Sequence, residues 1–220
     1  MKNVLLISAA MITATSASAA TITLGGDAVA GQGLVSSLSD VTHTFNFNDQ
    51  TSGALNIIGD FEIVQGSASG HYATPLDDES YYLTVPFDES VGQATVKFTA
   101  LGGNINYLGL YWGSIDNYNT ISFYNTDGTL IQSINGEDVR AATSTPGSQV
   151  DPGANIYVNI AFDDDEAFDY FVLSSEGFAF EIDNIAVRIR DRVDVPEPGM
   201  IGLLGLGALA LGAARRRKTA

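Results

Sequence analysis

The sequence predicts an all-β fold, an antiparallel β-sandwich of jelly-roll-like form, with a signal helix at its N-terminus and a short apolar helix at its C-terminus. Three observations predict it. Runs rich in Val, Ile, Thr, Phe and Tyr recur along the chain, each bounded by Gly, Asn, Asp or Pro. Roughly ten such runs fit between residues 21 and 194, and no segment there carries the 3.6-residue apolar period of a helix. No internal repeat of fixed period divides them, so the runs belong to one domain with one core rather than to a solenoid or propeller.

The elements follow in order. Lys2 supplies a positive start, Val4 to Ala14 an apolar stretch, and Ala17-Ser18-Ala19 or Ser18-Ala19-Ala20 a small-residue cleavage site. That order of features is a secretory signal, residues 1–20, and it predicts export. Without a single cysteine, the exported chain has no disulfide to rely on, so its core or a bound metal must hold it together.

Val41, His43, Phe45 and Phe47 alternate with Thr42, Thr44 and Asn46, the pattern of a half-buried strand with His43 packed on the inner face. Leu55 to Val64, Tyr81 to Val85, Ala94 to Ala100, Ile105 to Trp112 and Tyr118 to Tyr124 read as the next strands. Asn125-Thr126-Asp127-Gly128 is a hairpin turn into Thr129 to Ile134. A Gly/Pro/Ser-rich loop from Ala142 to Ala154 leads to Ile156 to Phe162, then Tyr170 to Leu173 and Phe178 to Ile189.

The last of these runs, FAFEIDNIAVRI, has a break in phase. Phe178, Phe180 and Ile182 share one parity while Ile185, Val187 and Ile189 share the other. Side chains of a regular strand alternate with a period of two, so both sets reach the core only if one extra residue is inserted. The sequence therefore predicts a β-bulge at Asp183-Asn184. There Asp183 and Asn184 either hydrogen-bond the disrupted backbone or supply oxygen ligands to a cation. The phrase Ile-Asp-Asn-Ile resembles the closing strand of jelly-roll carbohydrate-binding modules. The resemblance implies a structural calcium at Asp183; an acidic residue from the early strands, such as Asp49 or Asp27, is the candidate partner.

The end of the chain, VPEPGMIGLLGLGALALGAARRRKTA, combines three parts. Pro196, Glu197 and Pro198 hold the backbone extended and free of ladder hydrogen bonds, as a protease requires. Met200 to Ala214 is apolar all round, and as a helix it spans roughly 22 Å, short of the ~30 Å hydrocarbon core. Arg215, Arg216, Arg217 and Lys218 then favour a cytoplasmic terminus. In this order the parts, residues 195–220, resemble the PEP-CTERM sorting signal of exosortase-processed bacterial surface proteins. The resemblance implies a Gram-negative, exopolysaccharide-producing cell, transient anchoring in the inner membrane, cleavage near Pro-Glu-Pro by an exosortase, and a destination at the cell surface or in the extracellular matrix. The stretch Asn106 to Leu130, with its Leu-Tyr-Trp-Gly-Ser run, is similar to the core of a group of such proteins, which implies a β-sandwich body without an assigned activity.

Charge narrows the function. The whole chain carries −16, with 26 acidic and 10 basic residues. Loss of both ends removes five basic residues and one acidic one, so the 21–194 domain stands at about −20, which repels nucleic acid and anionic membranes. His43 and His71 stand in no metal-ligand spacing, and in Gly66-Ser67-Ala68-Ser69-Gly70 an alanine holds the place of a nucleophile. Asp163 to Glu166 with Asp169 reads as a solvated acidic turn, since Ala167 and Phe168 stand where a calcium loop needs a ligand and a glycine. The expected role is that of a non-catalytic surface protein. The alternative is a carbohydrate-binding module that recognises exopolysaccharide through exposed Tyr107 and Tyr111, which share a face opposite Leu108, Leu110 and Trp112.

Overall fold

The computed structural model describes residues 20–98, 101, 104–163 and 166–190. The chain divides between Arg190 and Asp191 into two units, and these residues all belong to the first. Its strands are β1 (Thr21–Leu24), β2 (Asp27–Val29), β3 (Gly33–Val35), β4 (His43–Phe45), β5 (Leu55–Gly59), β6 (Glu62–Gln65), β7 (Tyr81–Val85), β8 (Gly92–Phe98), β9 (Asn104–Gly113), β10 (Asn119–Tyr124), β11 (Leu130–Asn135), β12 (Ile156–Ala161), β13 (Tyr170–Ser175) and β14 (Phe180–Arg190). A single helical turn, α1 (Gly136–Val139), follows β11, closed by a capping box between Asn135 and Asp138.

The fold is an antiparallel β-sandwich. One sheet runs β1-β12-β9-β14-β7-β6, with β4 also paired to β14, and the facing sheet runs β11-β10-β13-β8-β5. β7 and β4 share one edge of β14 end to end: Phe180 to Ile182 pair with β7, and Ile185 to Val187 with β4. The inner faces meet in one apolar core. Leu108, Leu110 and Trp112 of β9 and Ile182 and Ile185 of β14 come from the larger sheet, and Ile121, Phe123, Phe171 and Leu173 from the smaller. Trp112 stacks on Phe180 with ring centroids 4.3 Å apart. Phe123 lies 4.9 Å from both Phe162 and Phe168 in edge-to-face contact, the geometry that the aromatic quadrupole favours.

The bulge is where the phase break places it. Asp183 lies opposite Tyr111 and Ala186 opposite Gly109, so three steps along β14 match two along β9. Asn184 takes up the extra residue with φ +50°, and Ile182 and Ile185 both reach the core. Phe178 is the exception to the expected parity: it precedes the strand, half-buried, with its ring 4.8 Å from that of His71. The Asn125–Gly128 turn also forms, closed by Gly128 N–H to Asn125 O (3.0 Å) and Asn125 N–H to Thr129 O (3.0 Å).

Two expected elements differ. Leu55 to Val64 is two strands, because Gly59, at φ +136°, turns the chain out of the smaller sheet and into β6 of the larger. A side chain at Gly59 would overlap the Gln93 backbone, so the turn depends on glycine. Val41 to Phe47 pairs over only three residues; Phe47 is buried, but His43 lies exposed rather than packed.

The larger sheet is covered on its outer side as well. β2 and β3 form a two-stranded ribbon, and β3 lies against β9, β12 and β14. Beneath it sit Tyr107, Tyr111, Tyr157 and Ala186, with Leu34 and Val41 packed on them.

Candidate functional site

The residues of the sorting signal, Pro196, Glu197, Pro198 and Arg215 to Lys218, lie outside the described residues, as do the C-terminal apolar run and residues 1–19 of the signal peptide. Among the described residues no helix is long and apolar enough to cross a membrane.

The expected tyrosine platform is corrected. Tyr107 and Tyr111 do share the outer face of β9, but each is only 1% exposed. The reason is the β2–β3 ribbon, whose short glycine-broken strands carry too few residues to announce themselves in the sequence. The hydroxyls are used internally: Tyr107 donates to Asn159 Oδ1 (2.7 Å), Tyr111 to Leu76 O (2.5 Å) and Tyr157 to Asn184 O (3.0 Å). Burial pushes all three phenols up from their ordinary pKa. A ring held this way offers no open face for a sugar to stack on.

The two residues expected to share calcium are not brought together. Asp49 is exposed in the turn after β4, where its Oδ1 accepts from Thr51 N–H (3.0 Å) and Thr51 Oγ1 (2.8 Å) in an Asx turn. Asp27 is exposed on β2. Asp183 is fully buried on the outer face of β14, under the ribbon. The acid that meets it is Asp78, which is 4% exposed. Ser80 sits between them, its Oγ 2.5 Å from Asp78 Oδ1 and 3.2 Å from Asp183 Oδ2. Asp183 is held above the usual carboxylate range, first by burial and then by the charge of Asp78. Among the described residues no group of three or more His, Cys, Asp or Glu side chains converges as a metal cluster. The sequence reading missed Asp78 because Asp77-Asp78-Glu79-Ser80 looks like any solvated acidic loop.

A second polar site sits where the end of β9, the start of β14 and the loop after β6 meet. Glu181 is 1% exposed; its Oε1 accepts from Ala73 N–H (2.8 Å) and its Oε2 from Ser114 Oγ (2.6 Å). A cavity of about 170 Å³ opens beside it, lined among others by His71, Tyr72, Asp116, Gln149 and Phe178. The Tyr118 hydroxyl reaches Asp116 Oδ2 at 2.8 Å. The sequence reading did not single out Glu181, which the loops closing over it bury off the core face.

Glu181 makes stability pH-dependent. Burial raises its pKa from 4.5 to about 7, in spite of the two hydrogen bonds. The folded state therefore binds more protons than the unfolded state between these values. The contribution is fully present below pH 4.5 and is lost as pH rises through about 7. The expected result is a loss of up to about 3 kcal/mol over that window, set by ~1.4 kcal/mol per unit. Urea unfolding at pH 5 and pH 8 measures it, and Glu181→Gln, whose amide accepts from Ala73 N–H and donates to Ser114 Oγ, removes the Glu181 share of the difference and leaves that of Asp183.

The match to known proteins concerns the end of the chain. Residues 194–218 match the PEP-CTERM protein-sorting motif. The chain carries a PEP-CTERM sorting signal. No curated protein matches the chain by sequence. Among solved structures, the K2 cleaved adhesin domain of Lys-gingipain is similar at 12% identity and a TM-score of 0.43, over 67% of this chain and 99% of that one. TmCBM61, solved with β-1,4-galactotriose, is 12% identical with a TM-score of 0.34, over 66% and 94% of the two chains. The enzymatically active domain of tailspike protein 4 from bacteriophage CBA120 is 14% identical with a TM-score of 0.34, over 72% and 22%. These likenesses transfer no function to the PEP-CTERM chain.

Proposed function

We propose that the protein is a non-catalytic surface or extracellular-matrix component, exported by its signal peptide and delivered by its C-terminal signal. Met200 to Ala214 anchors the chain in the inner membrane for a time. An exosortase then cleaves near Pro196-Glu197-Pro198 and leaves the sandwich at the cell surface or among exopolysaccharide.

The observation that carries this reading is the sorting motif over residues 194–218. Two properties of the chain fit it. Proline at 196 and 198 disfavours helix and ladder hydrogen bonding in the cleavage motif, which suits a protease substrate. The acidic balance of −16, which grows when the basic tail is removed, suits solubility outside the cell and repels nucleic acid. Glycan contact through Tyr107 and Tyr111 has no place in the proposal, because both rings are covered. The test is the intact mass of the chain recovered separately from membrane and extracellular fractions of the native cells.

A further inference from the structure

Two carboxyl groups meet inside the molecule with no base beside them. Asp183 and Asp78 are 0% and 4% exposed, and their side chains lie within hydrogen-bonding reach of each other. The Ser80 hydroxyl lies 2.5 Å from Asp78 Oδ1 and 3.2 Å from Asp183 Oδ2, with one proton to donate. Asp78 Oδ1 also accepts from Ser80 N–H (2.8 Å). That leaves Asp183 Oδ1 and Asp78 Oδ2 buried and without a donor among the described residues. Two like charges this close in a dry site cannot both ionise, so the pair keeps a proton. Held between them, it gives both oxygens a partner.

No neighbouring group neutralises the pair. Tyr111 on β9, Tyr157 on β12 and Tyr82 on β7 feel its charge, and burial keeps all three phenols protonated well above neutrality. Asp77 and Glu79 flank Asp78 and line the adjoining cavity of about 430 Å³, where they add only negative charge. Asp27, on the ribbon, is exposed. On β14 itself Glu181 lies two residues before Asp183, while Arg188 and Arg190 pair with Asp40 instead.

The pair also sits at a junction. Asp78 is bridged to Gly31 and Gln32 at the turn of the ribbon. Glu79 N–H donates to Gly31 O (3.0 Å) and Gly33 N–H to Asp77 O (3.1 Å). Asp183 opens the bulge, whose next residue, Asn184, donates to Gln32 O (2.6 Å) and Leu34 O (3.1 Å). We propose that Asp78 and Asp183 share one proton, and that this proton is a latch holding the β2–β3 ribbon and the Pro75–Ser80 segment over the outer face of the larger sheet. Loss of the proton to water leaves two buried negative charges, which separation of the segments lets water reach. The latch is independent of the sorting reading.

The sign follows from the closed form. There burial and the charge of Asp78 raise the Asp183 carboxyl from 3.8 to about 8, and on opening it returns to its ordinary value. The closed form therefore binds one more proton between these values. The latch is complete below pH 3.8 and is lost as pH rises through about 8, uncovering Tyr107 and Tyr111.

The test is amide hydrogen exchange of the purified protein from pH 5 to pH 9, with rates corrected for the intrinsic pH dependence of exchange. Protection of residues 27–35 and 76–80 falls about tenfold per pH unit up to about pH 8 and then levels off, as release of one proton requires. Asp183→Asn puts an amide N–H where the shared proton stands and leaves one charge. The slope then disappears, and protection at pH 8 rises at least tenfold over wild type. Asp78→Asn removes the like charge and supplies an N–H, so the levelling point moves down by about one pH unit or more. Glu181→Gln leaves the slope in place. A ribbon whose protection does not change with pH overturns the proposal. So does a fall that persists unshifted in Asp78→Asn, which makes Asp183 a lone buried acid rather than half of a pair.

Discussion

Phe123→Ala lowers the stability of the sandwich by about 3–5 kcal/mol, the range for removing a buried aromatic ring. Phe123 is fully buried on β10 and makes ring contacts with Phe162, Phe168 and Phe171. Phe162 follows β12 of the larger sheet and Phe171 lies on β13 of the smaller, so this one ring ties the two layers together. Phe171 sits on β13, paired on both sides by β10 and β8, and has little freedom to collapse into the space it leaves. The loss therefore contains a cavity cost as well as the lost transfer energy of the ring. Denaturant unfolding should show a lower midpoint with an unchanged slope. A change below about 1 kcal/mol would mean that the ring does not bridge the layers as described.

Gly33→Ala should have an effect nearly as large, about 2–4 kcal/mol, through a different mechanism. Gly33 has φ +65°, a conformation that costs a side chain about 1–2 kcal/mol. A Cβ there would also overlap the Tyr111 ring at Cε1 and Cδ1. Tyr111 has no room to yield, because it sits on β9 between two paired strands and its hydroxyl is bonded to Leu76 O. Gly53 serves as the control. Its φ is +56°, but a Cβ there meets nothing within 4 Å. The excess loss in Gly33→Ala over Gly53→Ala, read by urea unfolding, is the steric cost of lifting the ribbon from the tyrosines. Equal losses would show that the ribbon is not seated there.

These two residues also mark what the sequence could and could not reveal. The inner face of the sandwich was legible because alternation needs only a strand's own residues: Leu108, Leu110 and Trp112 point inward as their spacing requires. The bulge was legible for the same reason, since a phase error within one strand can only be repaired within that strand. The outer face was not. Its tyrosines were correctly placed on the second face of β9, yet whether that face is wet depends on a ribbon contributed by residues 27–35. Three-residue strands broken by Gly31 and Gly33 carry no period to read. Asp183 was singled out from its place at the bulge, while its partner came from a distant loop. The pairing of Asp78 with Asp183 is a product of tertiary folding, and no spacing in the chain announces it. His43 failed in a related way: a strand that pairs over three residues does not bury every side chain of its parity.

The sorting signal stands apart from all of this, because its parts are contiguous in sequence, residues 194–218, and need no fold to be legible. The central claim is that this signal delivers the acidic domain and is then removed. Its most direct test is intact-mass analysis of the protein from native cells, with membrane and extracellular fractions kept apart. The account predicts an extracellular species whose mass ends near Val195 to Pro198, with or without an added group, and lacks Arg215 to Lys218. A mature species that keeps Arg215 to Lys218 in every fraction would contradict it, and would make the sandwich a permanently tethered domain.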